Sequence, residues 1–131
     1  MTSRLHQIAL GVSDLDVARN FYSGVLGLRE IKTFDPPGLA FFALSDTRLL
    51  LERTANPSPG GGVLYLYVDG ILDRHAALAA DGVEFSAPPQ LIHVDSEGDF
   101  GEVGVEEWMA FFVDPDGNQL ALVERRPPSS E

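Results

Sequence analysis

Ala40-Phe41-Phe42-Ala43, a turn and Leu50-Leu51-Glu52-Arg53 return about seventy residues later as Ala110-Phe111-Phe112-Val113, a turn and Leu122-Val123-Glu124-Arg125. A second echo links Ile8-Ala9-Leu10-Gly11-Val12 to Leu64-Tyr65-Leu66-Tyr67-Val68, each followed by an Asp-containing turn, an amphipathic stretch and a glycine, Gly27 or Gly82. The chain therefore reads as two copies of one unit. A copy of this length buries too little apolar surface to be comfortable alone, so the pair is expected to form one domain over 1–131, with a cleft between or beneath the copies.

Outward from the echoes, Leu5 to Val12 alternates like a strand. Ser13-Asp14-Leu15-Asp16 reads as a helix start, Leu15, Ala18, Phe21, Tyr22, Val25 and Leu26 recur as one apolar stripe, and Gly27 stops it. Leu28 to Phe34, Leu39 to Leu44 and Arg48 to Arg53 then read as short antiparallel strands separated by Pro36-Pro37-Gly38 and Ser45-Asp46. The second copy repeats the order, with Ile71, Leu72, His75, Leu78 and Ala79 as its helix stripe. The expected fold class is α+β: two β-α-β-β-β modules, 5–53 and 63–125, forming a curved mixed sheet around a cleft with helices outside. A Gly/Pro linker is expected over 54–62 and a disordered tail over 126–131.

Twenty acidic against nine basic residues give a net charge of −11, which repels nucleic acid and anionic membranes alike, so neither is an expected partner. The acidity serves solubility, or attracts a cationic ligand. The first residues hold no signal-like or membrane-spanning run, and a cytoplasmic location is the expectation. With no cysteine, any metal would need His, carboxylate or amide ligands. Gly60-Gly61-Gly62 lacks the Lys-Ser/Thr of a phosphate loop, and G-x-S-x-G is missing.

Between Leu91 and Trp108 the second copy carries Asp95, Glu97, Asp99, Glu102, Glu106 and Glu107 among three glycines, and this reads as a mobile acidic loop. Its carboxylates touch a calcium-loop register, but Phe100 stands where the turn needs Gly and the flanks read as strands, which argues against calcium.

The paired units, the helix with Phe21-Tyr22 and Val25-Leu26-Gly27-Leu28, and Phe112-Val113-Asp114-Pro115-Asp116-Gly117-Asn118 before the last strand together resemble the vicinal oxygen chelate superfamily. Its members include glyoxalase I, bleomycin-binding proteins and extradiol dioxygenases. The D-P-D-G-N segment also has a local reading, with Pro115 and Gly117 setting turn dihedrals and Asp114 and Asn118 bonding the turn backbone.

The resemblance implies a divalent ion held by one ligand from the first strand and one carboxylate from the last strand of each copy. Carried over by register, those places are Gln7, Leu49, Val63 and Ala121, with Glu52 and Glu124 facing the other way and His6 one residue out. A lone amide does not hold a transition metal, so no metal and no cofactor is expected. A register slip of one in the first copy would bring His6 and Glu52 into play.

Alternation turns Gln7, Ala9, Gly11, Val63, Tyr65 and Tyr67 into the cleft, an apolar floor with a few polar groups. Gln7, Tyr65, Tyr67, His93 and Trp108 are the candidate ligand-binding residues: His93 as a proton shuttle or contact, Trp108 as a stacking cover over a bound ring. Packing is the competing role for both tyrosines, and His75 reads as a packed residue at the sheet edge. The expected function is binding of a small organic molecule, cationic or aromatic, without the family metal, in a homodimer as the resemblance implies. The alternatives are a divalent-metal-dependent lyase, isomerase or dioxygenase using His6, Gln7, Glu52, His93 and Glu107, and a structural partner domain with a filled cleft.

Overall fold

The computed structural model describes residues 5–58 and 62–128. Positions 59–61 of the expected linker and 129–131 of the expected tail lie outside the described residues. Contacts divide the chain into two compact units, Met1–Gly61 with Asp114–Asn118, and Gly62–Val113 with Gln119–Glu131. The fold is α+β, and each repeat carries its own four-stranded mixed sheet.

The first unit runs β1 (Gln7–Val12), α1 (Leu15–Arg19), β2 (Arg29–Phe34), β3 (Leu39–Leu44) and β4 (Thr47–Arg53). Its sheet order is β1-β4-β3-β2, with β1 parallel to β4 and the other pairs antiparallel. Asp14 caps α1 by accepting the Val17 N–H at 3.0 Å, as the sequence signature suggests. The helix does not stay regular: Asn20–Val25 is a π-helical segment in which the Leu26 N–H reaches back to the Phe21 carbonyl at 2.9 Å. The wider turn stacks residues four apart, so Ala18, Tyr22 and Leu26 are buried with Leu15, Val12, Ala40, Phe42, Leu49 and Leu51, while Phe21 and Val25 stay half-buried.

The D-P-D-G-N turn, though it joins two strands of the second sheet, belongs to this first unit. Asp114 Oδ1 accepts the N–H groups of Asp116 and Asn118 at 2.9 and 2.8 Å, and Gly117 has φ +88°, which is the expected turn chemistry. Beyond it, the Tyr22 phenol donates to Asp114 Oδ2 at 2.8 Å, Asn118 Nδ2 donates to the Gly11 carbonyl at 3.1 Å, and the Ser13 N–H donates to Asp116 Oδ1 at 3.1 Å. Burial, and then the charge of Asp114, push the Tyr22 phenol well above its ordinary pKa.

The second unit runs β5 (Val63–Tyr67), α2 (Ile71–Ala80), β6 (Gln90–Val94), β7 (Glu106–Val113) and β8 (Gln119–Arg126), in the sheet order β5-β8-β7-β6. Gly70 precedes α2 with φ +76° and offers no side-chain cap. Glu124 supplies one from the sheet, accepting the Gly70 and Ile71 N–H groups at 2.7 and 2.9 Å. Burial raises the pKa of this carboxyl, but those two N–H groups and Arg126 outweigh it and hold the group below its ordinary value. The buried stripe of α2 is narrower than the sequence suggests. Ile71 and Leu78 are buried, but Leu72 and Ala79 have turned past the sheet into solvent, and His75 lies 4.3 Å from the Phe85 ring.

The acidic segment expected to be a mobile loop is knit from within. Asp95 is fully buried, its backbone pairs with Gly104 and Val105, and its carboxylate accepts from the Asp99 and Phe100 N–H groups and from Arg125 at 3.1 Å. Burial opposes ionisation of Asp95, yet these donors win and lower its pKa. No helix among the described residues is long and apolar enough to cross a membrane.

Candidate functional site

Strand pairing fixes which side chains share a face. In the first sheet Gln7 lies beside Arg48, Ala9 beside Leu50, Gly11 beside Glu52, and Phe41 beside Leu50. Leu49 and Leu51 are fully buried on the helix side, so Gln7, Phe41, Arg48, Leu50 and Glu52 share the open face. In the second sheet Tyr65 lies beside Ala121 and Tyr67 beside Val123, while Leu120 and Leu122 are buried on the helix side.

Two register expectations are corrected here. Phe41 pairs with Leu50 where Phe111 pairs with Ala121, so the counterpart of Ala121 is Leu50 and not Leu49. The matching letters of Leu50-Leu51-Glu52-Arg53 and Leu122-Val123-Glu124-Arg125 are thus one residue out of structural register. As a result Glu52 is on the open face and Glu124 on the helix face. The run Leu49-Leu50-Leu51 has no polar alternation, so nothing in its letters could fix the parity.

The first unit gathers the denser chemistry. Arg48 Nε donates to Gln7 Oε1 at 2.6 Å, and the guanidinium lies 5.3 Å from the centre of the Phe41 ring. Phe34 meets Phe41 edge-on at 6.1 Å, and Lys32 Nζ is 5.8 Å from the Phe34 ring. Ile31, Lys32, Phe34, Phe41 and Arg48 line a hollow of about 250 Å³. Of these residues sequence reading had singled out Gln7 as a candidate and Phe41 as part of the repeat. The place of Arg48 beside Gln7 left no signal, because the apolar run that follows it in β4 hides the parity of the strand.

In the second unit Tyr65, 54% exposed, meets Phe111 edge-on at 6.1 Å. The Tyr67 phenol is engaged with the Arg125 backbone, donating to its carbonyl at 3.3 Å and accepting its N–H at 3.1 Å. His93 pairs with Glu107 on the same face and is exposed. It sits on the opposite edge strand, three strand spacings or about 14 Å from the Tyr65 strand, so it does not converge with the tyrosines. Trp108 pairs with Glu124 and lies on the helix side, its indole N–H donating to Glu106 at 3.0 Å and Arg126 5.7 Å from its ring. The five candidates are therefore dispersed: Tyr65, Tyr67 and His93 share one face, Trp108 the other, and Gln7 belongs to the other unit. A hollow of about 400 Å³ in this unit is lined by Phe85, Phe111, Phe112, Val113 and Gln119 among others.

The four places that the resemblance assigns to metal ligands hold Gln7, Leu50, Val63 and Ala121. Only Gln7 has a donor atom, and its oxygen accepts from a cation, Arg48. Glu52 lies four residues along β4 from Arg48, about 13 Å, and His6 is exposed just before β1. Among the described residues no three His, Asp or Glu side chains gather in a group that could hold a metal ion. These side chains do not fit the divalent ion that the resemblance implies.

Comparison with known proteins agrees with this geometry at the level of family. The model of the Glyoxalase/Bleomycin resistance protein/Dioxygenase superfamily matches residues 4–122. The cadmium-induced protein CadI of Mycobacterium tuberculosis is 40% identical over 63 residues, which are 48% of this chain and 40% of that protein, so the match spans less than half of its length. A member of the same superfamily from Sphaerobacter thermophilus superposes with a TM-score of 0.72 at 26% identity, covering 94% of this chain and 98% of the other. A glyoxalase family protein from Bacillus anthracis gives a TM-score of 0.76 at 17% identity, over 96% and 98% of the two chains, which speaks to the fold. On the span of that family match, the chain belongs to the glyoxalase/bleomycin resistance protein/dioxygenase superfamily.

Proposed function

We propose that this protein binds a small organic molecule on the open face of a sheet, without the divalent ion used by the family's enzymes. The observation that carries the reading is strand parity at Gln7, Leu50, Val63 and Ala121, which puts one amide and three apolar side chains where the ligand set would be. Transition-metal sites take three or four protein ligands of His, Asp, Glu or Cys, and the one amide here is occupied by Arg48. The open face of the first sheet offers what small-molecule sites are made of, aromatic and aliphatic walls with a few directed polar groups.

The test has two readouts on protein purified without chelator. Elemental analysis is expected to find no stoichiometric zinc, nickel, manganese or iron, and a small-molecule panel is expected to yield saturable binding that shifts resonances of β1, β3 and β4. Stoichiometric metal that survives dialysis would overturn the reading in favour of a metal-dependent lyase, isomerase or dioxygenase.

A further inference from the structure

Resting on that reading, we infer that the ligand is an anion: the open face of the first sheet takes an aromatic carboxylate between Arg48 and Lys32, over the Phe34–Phe41 pair. The argument begins with charge. The chain has nine basic and twenty acidic residues, so a basic side chain has every opportunity to find a carboxylate. Most do. Arg19 pairs with Asp16 and Glu30, Arg53 with Asp35, Arg125 with Asp95 and Glu107, and Arg126 with Glu124.

Among the described residues Arg29, Lys32 and Arg48 have no such partner, and they share one surface. Arg29 pairs with Ala43, Ala43 pairs with Arg48, and Lys32 pairs with Phe41, so all three project from the open face of the first sheet. Arg29 and Lys32 on β2 lie two strand spacings, about 10 Å, from Arg48 on β4, close enough for their charges to add, whereas Glu52, the carboxylate on that face, is about 13 Å from Arg48 along β4. A local positive field on a strongly acidic chain runs against the net charge, and it is relieved when an anion binds.

Geometry narrows the class. Arg48 spends Nε on Gln7, which holds the guanidinium beside Phe41 and leaves Nη1 and Nη2 for an end-on, two-point grip on a carboxylate. Lys32 adds a point charge on the other side of the same hollow, whose remaining lining is Ile31, Phe34 and Phe41. Apolar walls raise the strength of an ion pair made against them. A ring placed on Phe34 and Phe41 with its carboxylate toward Arg48 satisfies both halves of the site. A cation or a neutral ring satisfies only one.

The test titrates the intact protein with phenylacetate, 2-phenylethylamine and 2-phenylethanol, following ¹H–¹⁵N shifts including the Arg48 Nε–H. Phenylacetate is expected to saturate shifts on β2, β3 and β4 and to bind at least tenfold tighter than the other two. Arg48→Gln should weaken it by about ten- to a hundredfold, as for loss of a hydrogen bond to a charged group, and Lys32→Gln by less. Both substitutions sit on the open face, and unchanged circular dichroism confirms that each variant folds. Equal affinity for the three compounds, or phenylacetate binding that both variants retain, overturns the anion assignment while leaving a small-molecule site in place. Absence of saturable shifts on the first sheet with all three compounds overturns the assignment and the reading beneath it.

Discussion

Tyr22→Phe removes one oxygen atom from a fully buried ring and leaves the ring's packing unchanged. What it deletes is the 2.8 Å hydrogen bond from the phenol to Asp114 Oδ2, on a residue only 3% exposed. Asp114 keeps the Asp116 and Asn118 N–H groups on Oδ1 and Asn118 Nδ2 on Oδ2, so the variant loses one bond to a charged acceptor without stranding it. Such a bond is worth about 1.5–3 kcal/mol. For 131 residues, at about 2.1 cal/mol/K of unfolding entropy per residue, this corresponds to a fall in Tm of about 5–11 °C. Thermal and urea unfolding of Tyr22→Phe, Asp114→Asn and the double variant measure both the loss and the coupling. A Tm within about 2 °C of the parent, with the two substitutions additive, would refute the claim that this bond fastens the turn.

Further outcomes are expected at other positions. Glu124→Gln should cost about 1 kcal/mol at pH 7 as a weakened helix cap. Because the folded pKa of Glu124 is depressed, its contribution is complete above the ordinary value of about 4.5 and is lost as pH falls through the lower folded value, so urea midpoints of variant and parent should draw together as the pH is lowered below 4.5. Asp95→Asn should speed hydrogen exchange at the Asp99 and Phe100 amides and flatten the loss of stability below pH 4, since that carboxyl is also held below its ordinary 3.8. Gly38→Ala should destabilise by about 1–3 kcal/mol, because φ is +111° and a Cβ there would meet the Arg53 guanidinium carbon at 2.8 Å. Gly24→Ala should be neutral or gain a few tenths of a kcal/mol, its Cβ meeting only the mobile end of Asn20. Chemical denaturation of both glycine variants checks the contrast.

The duplication and its strands were legible because β3 and β7 carry strong aromatic signatures and the turns between strands are rich in Pro, Gly and Asp. Leu39–Leu44 lies where alternation and turns put it. The helix of the first repeat was less legible, since stripe spacing does not reveal that Asn20–Val25 winds as a π-helix. The second helix misled through Leu72 and Ala79, whose apolar character says nothing of which way a short helix rolls on its sheet. The candidate site was legible only in part. Gln7 lies on the open face as alternation implies, but the apolar run in β4 concealed the parity of Leu50 and Glu52, and with it the position of Arg48 beside Gln7. Long-range polar partners such as Tyr22 with Asp114 leave no local spacing to read.

The placement of Asp114–Asn118 with the first unit bears on how the polypeptide matures. A ribosome that has released only the N-terminal repeat has exposed a tyrosine hydroxyl and a glycine carbonyl whose mates are still to be translated. The first half must wait for Asn118 to leave the exit tunnel before its interior can close. Separately expressed halves should accordingly be poor folders that recover when mixed.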